Sequence, residues 1–157
     1  MDVKNLKTSK NKQISGPLII NPIPILDERG YFYESWNQHI FDSIVGKKIR
    51  FKQDNISYSK KGVLRGLHYQ LEPKSQGKLI RCSIGEIFDV AVDLRRNSPT
   101  FKDWASIKLS EKNKVQLWIP NGFAHGFLTL SEHAEVNYKV NNYWSKEHER
   151  SIRWNDN

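Results

Sequence analysis

Two histidines sit in settings that an ordinary surface position does not need. In Arg65-Gly66-Leu67-His68-Tyr69-Gln70 the side chains of an extended segment alternate, so His68 and Gln70 share a face. In Ile119-Pro120-Asn121-Gly122-Phe123-Ala124-His125-Gly126-Phe127, glycines flank His125 and open backbone paths closed to other residues. A hydrogen-bonded core histidine would explain either one alone; two such segments in one barrel suggest a lined pocket. Tyr138 belongs with them. It alternates with Val136 and Val140 on one face of a strand, opposite Glu135, Asn137 and Lys139, so its hydroxyl points inward and needs a partner or a task. Gln53, Asn55 and Ser57 share a face in the same way. Polar groups turned into a barrel more often line a ligand site than a dry core, although an exposed face gives the same alternation.

Barrel histidines also suit a metal, which normally takes a His-x-His pair with a later Glu and His. Here the partner of His68 is Gln70 and no compensating ligand is evident, so no metal is expected. His39, His133 and His148 lack a comparable context and read as surface or structural residues.

The elements that must position these groups are short and numerous. Apolar runs separated by Gly, Pro, Asn and Ser give strands over 18–20, 30–34, 51–57, 63–70, 77–84, 87–94, 104–109, 115–119, 126–130 and 134–140. Aromatic-rich strands of this kind predict an all-β jelly-roll barrel with one or two short helices. One helix is expected over 36–45, where Trp36, Ile40, Phe41, Ile44 and Val45 recur at helical spacing and Gly46 supplies a stop. Residues 1–16 are polar and basic and run into Ser15-Gly16-Pro17, so they are expected to form an arm ahead of a single domain over 17–157.

Lys and Arg total 25 against 17 Asp and Glu, a net charge of +8 that favours an anionic partner. The basic residues are scattered through Lys4, Lys7, Lys10, Lys12, the 47–52 stretch, Lys60, Lys61, Arg95 and Arg96. No helix face or arginine-rich motif gathers them, so neither nucleic acid nor a membrane is the expected partner. The sole cysteine, Cys82, excludes an intrachain disulfide and fits a reducing compartment. With no apolar leader or membrane-length run, the expected location is the cytoplasm.

These motifs together resemble the dTDP-4-dehydrorhamnose 3,5-epimerase family of cupins, from about Leu18 to Asp156. The resemblance is carried by 27–34 (Asp-Glu-Arg-Gly-Tyr-Phe-Tyr-Glu), 53–55, 63–70, 77–82, 88–94, 98–101, 116–127, Ala134-Glu135, Tyr138-Lys139 and Trp154-Asn155-Asp156. It implies a homodimer of jelly rolls whose N-terminal strand packs across the interface, with a cofactor-free site in each barrel. His68 matches the family's catalytic base and Tyr138 its acid. Arg29, Glu34, Gln53, Asn55, Arg65, Lys78, His125 and Glu149 match positions that hold the nucleotide, pyrophosphate and sugar of a dTDP-linked 4-keto-6-deoxyhexose. Arg65 falls on the strand face opposite His68 by plain alternation, but Gly66 between them can bend the backbone.

The implied chemistry is sensible. A C4 ketone acidifies the hydrogens at C3 and C5, so a neutral imidazole can remove one, and Lys78 can stabilise the enolate oxygen. Inversion needs a donor on the other sugar face, which Tyr138 supplies from a different strand. Two departures bear on this. Family members continue beyond the Trp-Asn-Asp motif into a tail whose aspartate orients the catalytic histidine, whereas this sequence ends at Asn157. The expected consequence is a weaker base, with Asp89 or Asp93 as candidate substitutes, and the alternatives of a 3-epimerase or a nucleotide-sugar-binding cupin with weakened catalysis stay open. The second is Trp144, which stands where the family often has a second tyrosine.

Overall fold

A computed structural model describes residues 1–156. Along the chain run β1 (Asp2–Lys7), β2 (Gln13–Asn21), β3 (Ile25–Asp27), β4 (Gly30–Phe32), α1 (Gln38–Val45), β5 (Gln53–Lys60) and β6 (Leu64–Gln70). They continue with β7 (Lys78–Ile84), β8 (Glu86–Asp93), β9 (Trp104–Ser110), β10 (Gln116–Ile119), β11 (Phe123–Thr129), β12 (His133–Val140) and β13 (Glu149–Ser151). Two antiparallel sheets result, six-stranded in the order β1-β2-β10-β7-β12-β5 and five-stranded in the order β13-β6-β11-β8-β9. This is the expected jelly roll. No helix among the described residues is long and apolar enough to cross a membrane.

The sheets face each other across one core, because inward positions alternate with outward ones on every strand. Ile80, Cys82, Leu117, Ala134 and Val136 from the larger sheet pack with Ile87, Ala91, Leu109, Phe123 and Phe127 from the smaller. A second cluster lies on the outer side of the larger sheet, where Phe41 of α1 packs over Ile20, Leu79 and Trp118. The helix starts two residues later than the apolar spacing suggests. Asn37 caps it, its side-chain oxygen accepting from the N–H groups of His39 and Ile40 at 3.0 and 3.2 Å, and Gly46 ends it at φ +73°.

The N-terminal segment departs from expectation. Rather than an arm separate from the body, 2–7 and 13–21 are the edge hairpin of the larger sheet, with Leu6 and Ile14 buried in the main core. The boundary expected at residue 16 therefore falls inside β2. Of the lysines that suggested a tail, Lys4 and Lys7 are exposed on the edge strand, a common use of charge at a sheet edge. Lys10 and Lys12 lie in the connection to β2, with Lys10 paired to Asp103, and the single apolar residues Leu6 and Ile14 anchor the hairpin.

A different segment stands apart. β3 and β4 pair only with each other, and Ile25, Leu26, Tyr31 and Phe32 on this hairpin are exposed.

Candidate active site

The barrel is not filled along its whole length. Between the sheets lies a cavity of about 720 Å³, and its walls are largely polar. From the larger sheet, β5 contributes Gln53, Asn55 and Ser57, β7 contributes Lys78 and β12 contributes Tyr138. From the smaller sheet, β6 contributes Arg65 and His68, β11 contributes His125, and β13 contributes Glu149. His68 and Tyr138 thus line the cavity from opposing sheets.

Local backbone geometry explains how Arg65 joins His68. The β6–β11 pairing aligns His68 with His125 but Arg65 with Phe127, so the register slips by one residue across Gly66. Gly66 sits at φ +129°, and a Cβ there would lie 2.5 Å from the Cα of Gly126. Only glycine fits, and the slip turns both polar side chains to one side. Arg65 is then braced on its Nε, which donates to Ser59 Oγ at 2.8 Å.

Titration behaviour follows from enclosure. Burial pushes Lys78 down to about 8 from an ordinary 10.5, against the opposing pull of the Asp89 and Glu149 carboxylates. Burial also lowers His68 from 6.5, reinforced by the positive charge of Lys78 and resisted by Glu149. The Tyr138 hydroxyl is raised above 10, again by burial first, with Arg65 working the other way. A neutral imidazole, a phenol that keeps its proton and an ammonium on the edge of losing its charge thus share one cavity.

Asp89 and Asp93 do not face His68 as substitutes for an orienting carboxylate. Asp89 is fully buried and lies 3.0 Å from His125 Nε2 through both its oxygens. Asp93 accepts from Arg95, Ser98 and Thr100, which fixes the β8–β9 connection. Both share a strand face as the alternation implies, but the ring that reaches that face belongs to β11, not β6. Gln70 is also diverted, its amide spanning the carbonyls of Lys74 and Tyr143 and the N–H of Ser145.

Arg29 and Glu34 lie outside the cavity of their own chain. Arg29 is exposed on the β3–β4 hairpin and paired with Asp27, and Glu34 accepts from Asn37. Ser57 lines the cavity beside Gln53 and Asn55, as the strand face they share implies. Leu64, Gly66, Gln76 and Phe127 also border it and were not assigned as site residues, although Phe127 was accessible to the sequence because it alternates with His125 on its strand. Gln76 gave no signal, because it stands just before β7 where no alternation applies. Trp144 also borders the cavity, with its backbone N–H donating to Gln53 Oε1 at 3.0 Å. Among the described residues no three His, Cys, Asp or Glu side chains gather as metal ligands do.

A two-sheet jelly roll enclosing a polar cavity lined by histidine, tyrosine and cationic side chains is a cupin-like fold with a pocket suited to a polar, anionic ligand. Comparison makes the assignment specific. The family model for dTDP-4-dehydrorhamnose 3,5-epimerase matches residues 11–157, and the chain belongs to that family. It is 60% identical over 144 residues to the dTDP-4-dehydrorhamnose 3,5-epimerase of Shigella flexneri, covering 92% of this chain and 80% of that one. The Salmonella typhimurium enzyme of the same name is 59% identical over 139 residues, 88% of this chain and 76% of that one. Among solved structures, the dTDP-6-deoxy-D-glucose-3,5-epimerase of Legionella pneumophila in complex with dTDP-4-keto-L-rhamnose superposes with a TM-score of 0.90. It is 48% identical, covering 99% of this chain and 80% of that one. The chain is an isomerase.

Proposed function

We propose that the chain epimerises C3 and C5 of a dTDP-linked 4-keto-6-deoxyhexose, converting dTDP-4-dehydro-6-deoxy-D-glucose to dTDP-4-dehydro-L-rhamnose in the cytoplasm. The observation that carries this reading is the placement of His68 and Tyr138 on opposing sheets around one cavity. At each centre His68 takes the proton next to the C4 ketone, and the electron pair moves to the carbonyl oxygen as an enolate. Lys78, charged below about 8, stabilises that oxygen. Tyr138 then protonates the carbon from the other face, and solvent restores the proton to the phenolate and removes it from the imidazolium. Arg65, His125, Gln53, Asn55 and Glu149 hold the pyrophosphate, sugar and base. The resemblance of Arg65 and Lys78 to pyrophosphate contacts gives part of the positive charge a small-molecule purpose.

Arg29 and Glu34 enter this reading through a second copy. The β3–β4 hairpin pairs with nothing else in its own chain and carries exposed apolar side chains. In a homodimer it reaches across to complete the partner's cavity, which gives both residues access to substrate. The reaction is tested by incubating the protein with dTDP-4-keto-6-deoxyglucose in deuterated water and following C3 and C5 by NMR. Deuterium at both centres with inversion is expected. Exchange at C3 alone would identify a 3-epimerase, and binding without exchange would reduce the chain to a nucleotide-sugar-binding cupin.

A further inference from the structure

We propose that Asp89 is a positioning residue for the reaction, holding the proton of a neutral His125 ring on Nε2 so that Nδ1 meets the substrate as an acceptor for a sugar hydroxyl. This rests on the substrate reading given above. Asp89 is fully buried on β8, with Ile87 and Ala91 beside it on the inward face and Phe127 and Ile107 opposite it on the neighbouring strands. Both its oxygens lie 3.0 Å from His125 Nε2, and they make no other hydrogen bond among the described residues. Asp93 on the same strand is a useful contrast, since it accepts from three side chains and fixes a loop. A carboxylate sunk among apolar groups with one partner is a poor stabilising device, because its desolvation consumes most of what the pair returns. What it does well is direct that partner.

A carboxylate only accepts, so the nitrogen facing it carries the hydrogen, and in the neutral ring Nδ1 is left with a lone pair. The ring need not be charged to balance Asp89. Among the residues lining the cavity, the charged side chains are Arg65, Lys78 and Glu149, and adding Asp89 behind His125 gives two of each sign. Nδ1 has no hydrogen-bond partner among the described residues and is not sealed off by protein, so it opens into the cavity that His125 lines. His125 also stands directly opposite His68 in the β6–β11 pairing. When His68 faces a carbon next to the C4 ketone, His125 therefore faces the same sugar ring, which carries hydroxyls at C2 and C3.

The test uses the full chain with two substitutions. Asp89→Leu removes both acceptor and charge in an apolar setting, whereas Asp89→Asn keeps an amide oxygen able to accept. The His125 tautomer is read from the ring ¹⁵N resonances at a pH where free imidazole is neutral, with His125→Gln providing the assignment. The parent is expected to carry its proton on Nε2 alone. Asp89→Leu should move it to Nδ1, because an N–H pressed against apolar groups is left unsatisfied. Affinity is titrated with dTDP-glucose, which has no C4 ketone and does not react, and with dTDP, which has no sugar. Asp89→Leu should weaken dTDP-glucose about tenfold, the worth of one hydrogen bond, and leave dTDP unchanged. Asp89→Asn should lose less, and neither substitution should weaken binding further in a His125→Gln background.

A parent ring protonated on Nδ1, alone or together with Nε2, overturns the proposal. So does an Asp89→Leu protein that binds dTDP-glucose as the parent does, that loses dTDP to the same extent, or that loses further affinity once His125 is gone. These are equilibrium measurements, so they hold even if deuterium exchange fails and the chain only binds nucleotide sugars. A parent that binds neither ligand would remove the substrate reading, and this role for Asp89 with it.

Discussion

Lys78 and His68 titrate downward for related reasons, and the direction sets the pH range over which the cavity can work. Both are penalised by burial when charged, and each is further affected by the charges it faces. His68 must be neutral to accept a proton, so activity rises as pH climbs through a value below the ordinary 6.5. Lys78 must be charged to hold the enolate, so activity falls as pH passes about 8. The kcat/KM profile is therefore expected to be a bell whose alkaline limb belongs to Lys78. Lys78→Arg should carry that limb well above 8, since a guanidinium stays protonated there. An alkaline limb that stays in place in an active Lys78→Arg variant would show that Lys78 does not set it. The acid and base should fail differently. His68→Ala is expected to abolish deuterium exchange at C3 and C5. Tyr138→Phe should retain exchange with unchanged configuration while epimerised product falls by about 10²-fold or more, the usual worth of a positioned acid. Substantial epimerisation by His68→Ala would mean the roles are wrongly assigned.

Elements place these groups through a few close backbone approaches. Gly66 faces Gly126 across the β6–β11 slip, and a Cβ at 66 would meet the Gly126 Cα at 2.5 Å and the His125 carbonyl at 2.8 Å. Backbone cannot step aside as a side chain tip can, so Gly66→Ala should force the strands apart next to His68 and His125. Gly30→Ala is the matched control, with φ +130° and nothing within 4 Å of its Cβ. Thermal denaturation is expected to show Gly66→Ala less stable than Gly30→Ala by about 2 kcal/mol, the scale of an overpacked interior. Equal losses would assign the whole effect to backbone dihedral strain. The β8–β9 connection depends on charge instead. Hydrogen bonds from Arg95, Ser98 and Thr100 overcome the burial of Asp93 and hold it near 2, below an ordinary 3.8. A depressed carboxylate adds stability above its unfolded pKa and loses it as pH falls through the folded one, so the window is about 4 down to 2. Asp93→Asn should cost about 2 kcal/mol at neutral pH, and its gap from the parent should close across that window. A gap independent of pH would show that shape rather than charge holds the loop.

Strand alternation made much of this legible in advance. Gln53, Asn55, His68, His125 and Tyr138 face the cavity as period-two reasoning requires. Arg65 did not follow from it, because the slip at Gly66 depends on which strand lies opposite, and pairing partners are not written in either strand alone. The same limit governed Asp89. Its facing was evident, but not that β11 rather than β6 would bring the ring to it. The first hairpin was missed because Leu6 and Ile14 are isolated apolar residues among lysines and polar neighbours, and only the sheet they join makes them core.

At the scale of the whole molecule the unresolved pairing is that of the β3–β4 hairpin, which projects Ile25, Leu26 and Phe32 into solvent and keeps Arg29 away from its own cavity. Large exposed apolar side chains grouped on one hairpin mark an interaction surface rather than ordinary solvent-facing structure. If the hairpin completes a partner's cavity, each site in a dimer draws His68 from one chain and Arg29 from the other. His68→Ala and Arg29→Ala homodimers should then each show little activity, for independent reasons. After subunit exchange, a mixed dimer contains one site with both residues intact, formed by the cavity of the Arg29→Ala chain and the hairpin of the His68→Ala chain. Mixing the two inactive proteins under conditions that permit exchange is expected to restore epimerisation well above the sum of the parents, whereas a double variant mixed with either should restore none. If Arg29 serves its own chain, every cavity in the mixture lacks one residue and no recovery occurs. Full activity of Arg29→Ala alone would instead remove the hairpin from substrate contact altogether.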